Sequence, residues 1–243
     1  MRFKCAGARR CALLAGRSFV LAGGGSFGVE VATYLLDIRR ANGAADNDPI
    51  VSDILDSGTP RRAEIERVVG APIKVHATLD TVENKDEKLA IVCVGNAKVR
   101  RKLFDEIAAT PLRFGQVIHP SAYVAETAQL GEGVIICPLS FVGPFARIED
   151  NVAVNVHAAI GHDAVLKHSA VISPAAAVNG YARCGVASFV GAGAILYPGA
   201  ELGDYSKLSA GSVLSRSVGE GYLMHGNPAT GRQMVSPSDR TKT

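Results

Sequence analysis

His162 and Asp163 stand side by side in a chain of 243 residues, and this pair is the clearest candidate for chemistry. An unperturbed imidazole titrates near neutral pH, so it can take a proton from an attacking amine or hydroxyl. An adjacent carboxylate can orient the ring and stabilise the imidazolium, as in hydrolase triads. Histidines also ligate metals, and His157 lies five residues before His162. A catalytic zinc needs a third protein ligand beside its open position. His119, the candidate third ligand, is two residues out of phase with the repeat described next, so no metal is expected.

The pair must be held by whatever residues 118–218 build. Stepping by six from Ile118 to Leu214 meets seventeen positions, sixteen of them Ile, Val or Leu and one Cys184. Four residues after each comes a second register, Ala122 to Val218, made only of Ala, Ser or Val. With about a quarter of residues normally charged, so long a charge-free set has a chance probability of roughly 10⁻⁴. A period of six fits neither an amphipathic helix nor a heptad, but it is three times the strand period. Hexapeptide repetition marks a parallel β-helix, with three hexads closing a coil of about 18 residues and coils stacking about 4.8 Å apart. This phase places His162 and Asp163 between the inward registers, at a corner and facing outward. Gly180 then lies one coil above His162.

In front of the coil the pattern changes. Residues 18–22 read as a buried strand, and Gly23, Gly25 and Gly28 form a GxGxxG turn into a helix beginning near Val29. Such glycines permit a tight turn and let helix N-terminal N–H groups approach a phosphate. Strands follow at 49–55, 72–76 and 89–94, with helices at 61–69 and from Asn96 to Ala109, which Asn96 is suited to cap. Strands alternating with helices imply a small parallel sheet. A dinucleotide is disfavoured: Asp56, the candidate acid for its ribose, comes too late after Gly28, and about 100 residues make only half of such a domain. A mononucleotide or nucleotide-sugar fits better.

The chain has a net charge of +3, too mild to imply nucleic-acid binding. Its five cysteines are scattered without a CxxC, against both a disulfide framework and a zinc knuckle. Nothing approaches a membrane span of ~20 apolar residues, and Arg9–Arg10 interrupt what would be a signal-peptide core in residues 1–17. A cytoplasmic protein with an extended N-terminal start and a frayed tail at 235–243 is expected.

These features together resemble the bacterial sialic-acid O-acetyltransferase family, which includes N-acetyltransferases of nucleotide-linked amino sugars. The marks are GGGSFG at 23–28, Ile54-Leu-Asp56, Val94-Gly-Asn96 with Arg100, Asn155 through Gly161-His162-Asp163, Gly180, and Gly226-Asn-Pro-Ala229. The resemblance implies an α/β Rossmann-like nucleotide-sugar domain over 18–117, a left-handed parallel β-helix over 118–218, and a CoA-groove segment and tail over 219–243. It also implies a homotrimer with active sites between subunits, acetyl-CoA as cosubstrate and a nucleotide-linked amino sugar as acceptor. By the same resemblance His162, Asp163 and Asn155 are catalytic, and acetyl-CoA lies along Gly180, Ala192, Ala210 and Pro228. Phosphates lie near Gly25, Ser26, Phe27 and Gly28, and the base near Asp56, Ser57 and Asn96.

The chain departs from the family where Phe27 and Val171 replace histidines and where Ser57 follows Asp56 in place of a second Asp. Three alternatives stay open. One is O-acetylation of a free sugar of the sialic-acid type. Another is a non-catalytic trimeric scaffold. The third, a zinc enzyme like the γ-type carbonic anhydrases, would leave the α/β domain and the Gly-Asn-Pro-Ala ending without a role.

Overall fold

The computed structural model describes residues 4–5, 17–43 and 50–234. Most of residues 1–17, and the whole tail at 235–243, lie outside the described residues. Lys4–Cys5 (β1) pairs antiparallel with the coil strand Gln129–Leu130.

The front half contains β2 (Phe19–Ala22), α1 (Ser26–Ala41), β3 (Val51–Leu55), α2 (Arg62–Val69), β4 (Lys74–His76), β5 (Leu89–Val92), α3 (Ala97–Ala108) and β6 (Arg113–Phe114). Its strands form one parallel sheet in the order β4-β3-β2-β5-β6. The chain thus starts mid-sheet, winds to one edge and returns to the other, which leaves a crevice beyond the carboxyl ends of β2 and β5. Alternate residues of β2 face opposite sides. Phe19 and Leu21 pack with Val31 and Leu35 of α1 and Ile65 of α2. Val20 and Ala22 pack with Phe104 and Ile107 of α3.

Helix α1 starts three residues before the expected Val29, because the glycine loop itself turns into the first helical turn. A Cβ on Gly28 would lie 2.5 Å from the Gly23 carbonyl oxygen, so only glycine allows that approach. Strand β4 is shorter than expected; as an edge strand it pairs only with Asp53–Leu55. Asp53 is fully buried, paired with Lys88 Nζ at 2.6 Å and His76 Nε2 at 2.7 Å. Burial alone would raise its carboxyl pKa; hydrogen bonds from Lys88, Ser52 and His76 outweigh that and hold it below the usual range.

Behind this sheet come seventeen two-residue strands, one every six residues from β7 (Val117–Ile118) to β23 (Val213–Leu214). Their partners are eighteen residues apart, as Ile135 with Ala153 and Ala153 with Val171. Three parallel sheets result, the sides of a triangular prism. Both registers read from the sequence point inward, and from Leu130 to Leu214 and Ala128 to Ser212 every member is buried. The small register fits the corners, where the sides converge and a longer side chain would collide. At the far end β24 (Tyr222–His225) continues one sheet and β25 (Thr230–Gln233) folds back on it antiparallel.

The outward residues make the three sides different. On one side Val117, Ile135, Ala153 and Val171 are buried, the first two in the same core as α1. On the second, Arg147, Arg183 and Glu201 face solvent among neighbours of mixed character. The third carries Tyr123, Phe141, Ala159, Ala177, Ile195 and Val213, all apolar and none fully covered. Tyr123 and Phe141 stack on each other there at 5.2 Å.

Arg100 of α3 ties the two halves together. Fully buried, its guanidinium donates to carbonyl oxygens of Asn151 and Gly133 in the coil and of Val92 in β5. Asn151 returns a hydrogen bond from Nδ2 to the Arg100 carbonyl at 3.0 Å. Burial pushes the guanidinium pKa down to about 10, which still leaves it charged at neutral pH. No helix among the described residues is long and apolar enough to cross a membrane.

Candidate active site

The corner at residues 161–164 presents the chemistry. Asp163 takes the left-handed conformation (φ 57°) that turns the chain there, and its N–H donates to the Pro144 carbonyl one coil below. This fixes the backbone from which both side chains project. His162 Nδ1 and Asp163 Oδ2 are 2.9 Å apart, and the His162 side chain is 57% exposed, open to a reacting partner. With Nδ1–H donated to the carboxylate, Nε2 keeps its lone pair for proton transfer.

Gly180 lies over the ring, as the eighteen-residue coil requires. A Cβ there would stand 2.6 Å from Nε2 and 2.7 Å from Cε1 of His162. Among the described hydrogen bonds, the Gly180 N–H donates to none. The next corner column differs: the N–H groups of Glu132 and Val186 are capped by Asp150 and Asp204. The Gly180 N–H is therefore an unclaimed donor on the residue that overlies the imidazole, an arrangement that could serve an oxyanion. Tyr181 stands next to it, its ring perpendicular to that of His162 with centroids 5.1 Å apart. Tyr181 is not among the residues whose type marks them for chemistry in the sequence, although it lies one coil above Asp163 and the same arithmetic locates it.

Asn155 is not joined to this pair within the chain. Its Oδ1 accepts the Val156 N–H at 2.7 Å, and it occupies the corner at the opposite edge of the apolar side. His119, the nearest histidine to a third metal ligand, turns to Asp37 of α1 at 3.3 Å and packs edge-on to Tyr34. His168 is half-buried against Phe104 of α3.

Further clefts lie among the described residues. One, of about 470 Å³, opens beyond the carboxyl ends of the front sheet, lined by Gly23, Leu55, Asp56 and Ser57, by Ala77–Leu79, and by Val94, Val99 and Lys102. Asp56 and Ser57 reach it as expected, but the Asp56 carboxylate is already engaged. Its two oxygens accept the N–H groups of Gly24 at 2.7 Å and Gly58 at 2.8 Å, holding the glycine loop to the loop after β3. Asn96 is likewise committed as the α3 cap, accepting from Lys98 and Val99. Gly25 and Ser26 are exposed at the α1 N-terminus, where Arg61 Nη1 reaches Ser26 Oγ at 3.3 Å. Nothing in the sequence pattern marks that cation, which only the fold brings to the loop. Gly28 and Phe27 are turned inward, Phe27 against the core. Val171 is buried against Ala97 of α3.

The second cleft, of about 510 Å³, lies at the far hairpin between Leu223, His225, Thr230, Gly231 and Arg232. Pro228 is exposed at the turn of that hairpin, whose Ala229 N–H is anchored on the Val213 carbonyl. Ala192 and Ala210 are exposed in one corner column, and among the described hydrogen bonds neither N–H donates. The corner columns therefore leave peptide N–H groups open where a ligand with amide carbonyls could lie.

No family model matches the chain. Among curated proteins, the GDP-perosamine N-acetyltransferase of Escherichia coli O157:H7 is 25% identical over 108 residues, 44% of this chain. The match spans about half (49%) of that relative's length. Among solved structures, a histidine-to-asparagine mutant of perosamine N-acetyltransferase from Caulobacter crescentus, in complex with CoA and GDP-perosamine, is 27% identical with a TM-score of 0.77. It covers 90% of this chain and 98% of its own. The acetyltransferase domain of PglB from Neisseria gonorrhoeae, in complex with acetyl coenzyme A, is 25% identical with a TM-score of 0.75, covering 90% of this chain and all of its own. The chain shares their fold along nearly its whole described length. Neither structure nor the curated relative is described as a sialic-acid O-acetyltransferase.

Proposed function

We propose that this chain is an acetyl-CoA-dependent N-acetyltransferase acting on the amine of a nucleotide-linked amino sugar. The observation that carries the reading is the His162–Asp163 pair with the unclaimed Gly180 N–H above it. A base, its orienting carboxylate and an oxyanion donor are what acyl transfer to an amine needs. The similar proteins, described as perosamine N-acetyltransferases or as an acetyltransferase domain, support the same class.

In this reading the acetyl thioester supplies the electrophile. His162 Nε2 takes the proton as the sugar amine attacks, and Asp163 holds Nδ1 and stabilises the imidazolium. The Gly180 N–H meets the charge that develops on the carbonyl oxygen. The imidazolium then returns the proton to the departing thiolate. CoA lies along the open N–H groups of Ala192 and Ala210 toward Pro228. The front sheet is a Rossmann-like domain whose switch-point cleft receives the nucleotide, with Arg61 and the α1 N-terminus for its phosphates.

The coil is left-handed and the assembly a homotrimer in this reading. Support for the assembly comes from the apolar side that the described residues leave uncovered, a surface that folded chains rarely leave bare. Its two edges carry the corners of Asn155 and His162, so packing on it would bring one subunit's Asn155 edge to its neighbour's His162.

Thiol release from acetyl-CoA, measured against UDP-amino sugars, GDP-amino sugars and sialic acid, tests the proposal. Turnover with a nucleotide-linked amino sugar is expected. Turnover with sialic acid alone would replace it by O-acetylation. No release with any acceptor and no CoA binding by calorimetry would leave a scaffold.

A further inference from the structure

We infer that Tyr181 is a positioning residue that fixes the plane of the His162 imidazole. The inference rests on the acyl-transfer reading for its kinetic consequence but not for its structural one. A histidine with an exposed side chain can turn about its Cβ–Cγ bond, and a hydrogen bond at Nδ1 alone leaves the ring free to tilt about that contact. His162 has a second constraint: the Tyr181 ring lies perpendicular to it, at 87° and 5.1 Å between centroids. That edge-to-face geometry is a preferred aromatic arrangement.

The tyrosine is itself well anchored. Its N–H donates to the His162 carbonyl at 3.0 Å, so its backbone is fastened to the residue whose ring it touches. Its φ of 61° is the left-handed conformation that Phe145, Asp163 and Gly199 also adopt in the same corner column. Yet the residue is 61% exposed, and among the described hydrogen bonds none engages its hydroxyl. The ring, not the hydroxyl, makes the contact. Asp163 at Nδ1, Gly180 beside Nε2 and the Tyr181 ring therefore all bear on one orientation of the imidazole. A misplaced base loses rate without losing substrate affinity.

Alanine at 181 is compatible with the fold, since Ala175 and Ala187 hold the same corner conformation at φ 57° and 49°. Tyr181→Ala should lower kcat about tenfold or more, with KM for acetyl-CoA and acceptor within about twofold. Tyr181→Phe should restore kcat, because the ring is retained. In ligand-free, ¹⁵N-labelled full-length protein, the His162 ring nitrogens should report a single tautomer in wild type and in Tyr181→Phe. Their chemical-shift separation should shrink in Tyr181→Ala. A Tyr181→Ala protein with wild-type kcat and ring spectrum would overturn the assignment. A rise in KM at constant kcat would make Tyr181 a substrate wall instead. If the wild-type protein transfers no acetyl group, the acyl-transfer reading fails while the ring spectra still decide the role of Tyr181.

Discussion

His162 and Gly180, eighteen residues apart in sequence, meet across a single rung of the coil: a β-carbon on Gly180 would lie 2.6 Å from the imidazole Nε2. The three nearest atoms to that added carbon all belong to the His162 ring, an exposed side chain that can swing away. Gly180→Ala should therefore leave the melting temperature within about 2 °C while displacing the base. Acetyl transfer should fall by about tenfold or more. Unchanged turnover would show that the ring does not work from the orientation seen here.

Replacing the base itself should cost more. His162→Ala is expected to reduce turnover by about a hundredfold or more, with CoA binding by calorimetry unaltered. Asp163→Asn keeps the shape but removes the charge that holds the Nδ1–H tautomer, so it too should lower kcat rather than raise KM. Near-normal turnover in His162→Ala would remove the proposed mechanism.

The apolar side of the prism gives a test of assembly. Ile195 points outward there, between Ala177 and Val213 on the neighbouring rungs. Ile195→Glu would bring buried, unpaired carboxylates together in any complex that covers this side. Sedimentation velocity should show the wild-type chain associated and the variant monomeric, with an unchanged far-UV spectrum. A variant that sediments like the wild type would locate the contact elsewhere.

His168 links stability to pH. Burial lowers its pKa, and the nearby Arg101 cation lowers it further, while Asp105, Asp150 and Glu149 act in the opposite sense. An unfolded histidine takes its proton near pH 6.5, the folded one only at lower pH. Between those values the unfolded chain binds more protons, so stability is full above about pH 6.5 and falls as the pH drops through that window. Urea midpoints at pH 7.5, 6.5 and 5.5 should decline for wild type and decline less for His168→Gln. Parallel declines would assign the acid limb to other groups.

The coil was legible to the residue because its period is enforced by a dry interior. Each of the positions from Leu130 to Leu214 is buried, and no other periodicity could hide them all. The corner of His162 and the place of Gly180 followed from counting alone. The front sheet was legible as alternation, but its ends were not. Ser26 begins α1 because Gly28 lets the helix close on Gly23, a contact no propensity encodes. Asp56 read as a ligand contact, yet its carboxylate is engaged with the Gly24 and Gly58 N–H groups, contacts visible only once β2 and β3 lie side by side. The difference among the three sides of the prism was also hidden, since it depends on which side the front sheet and α1 happen to cover.

The eighteen-residue coil also makes the molecule a ruler. From the His162 corner to that of Ala210 is 48 residues, between two and three coils, or about 13 Å along the axis at 4.8 Å per coil. A deletion of one whole coil between them would keep every inward residue inward and the prism intact. It would nevertheless draw the cofactor end one graduation closer to the base. Length along this axis is thus set by the number of coils and not by the packing inside the prism, and a chain shortened by eighteen residues should keep its coil while fitting a shorter acyl carrier.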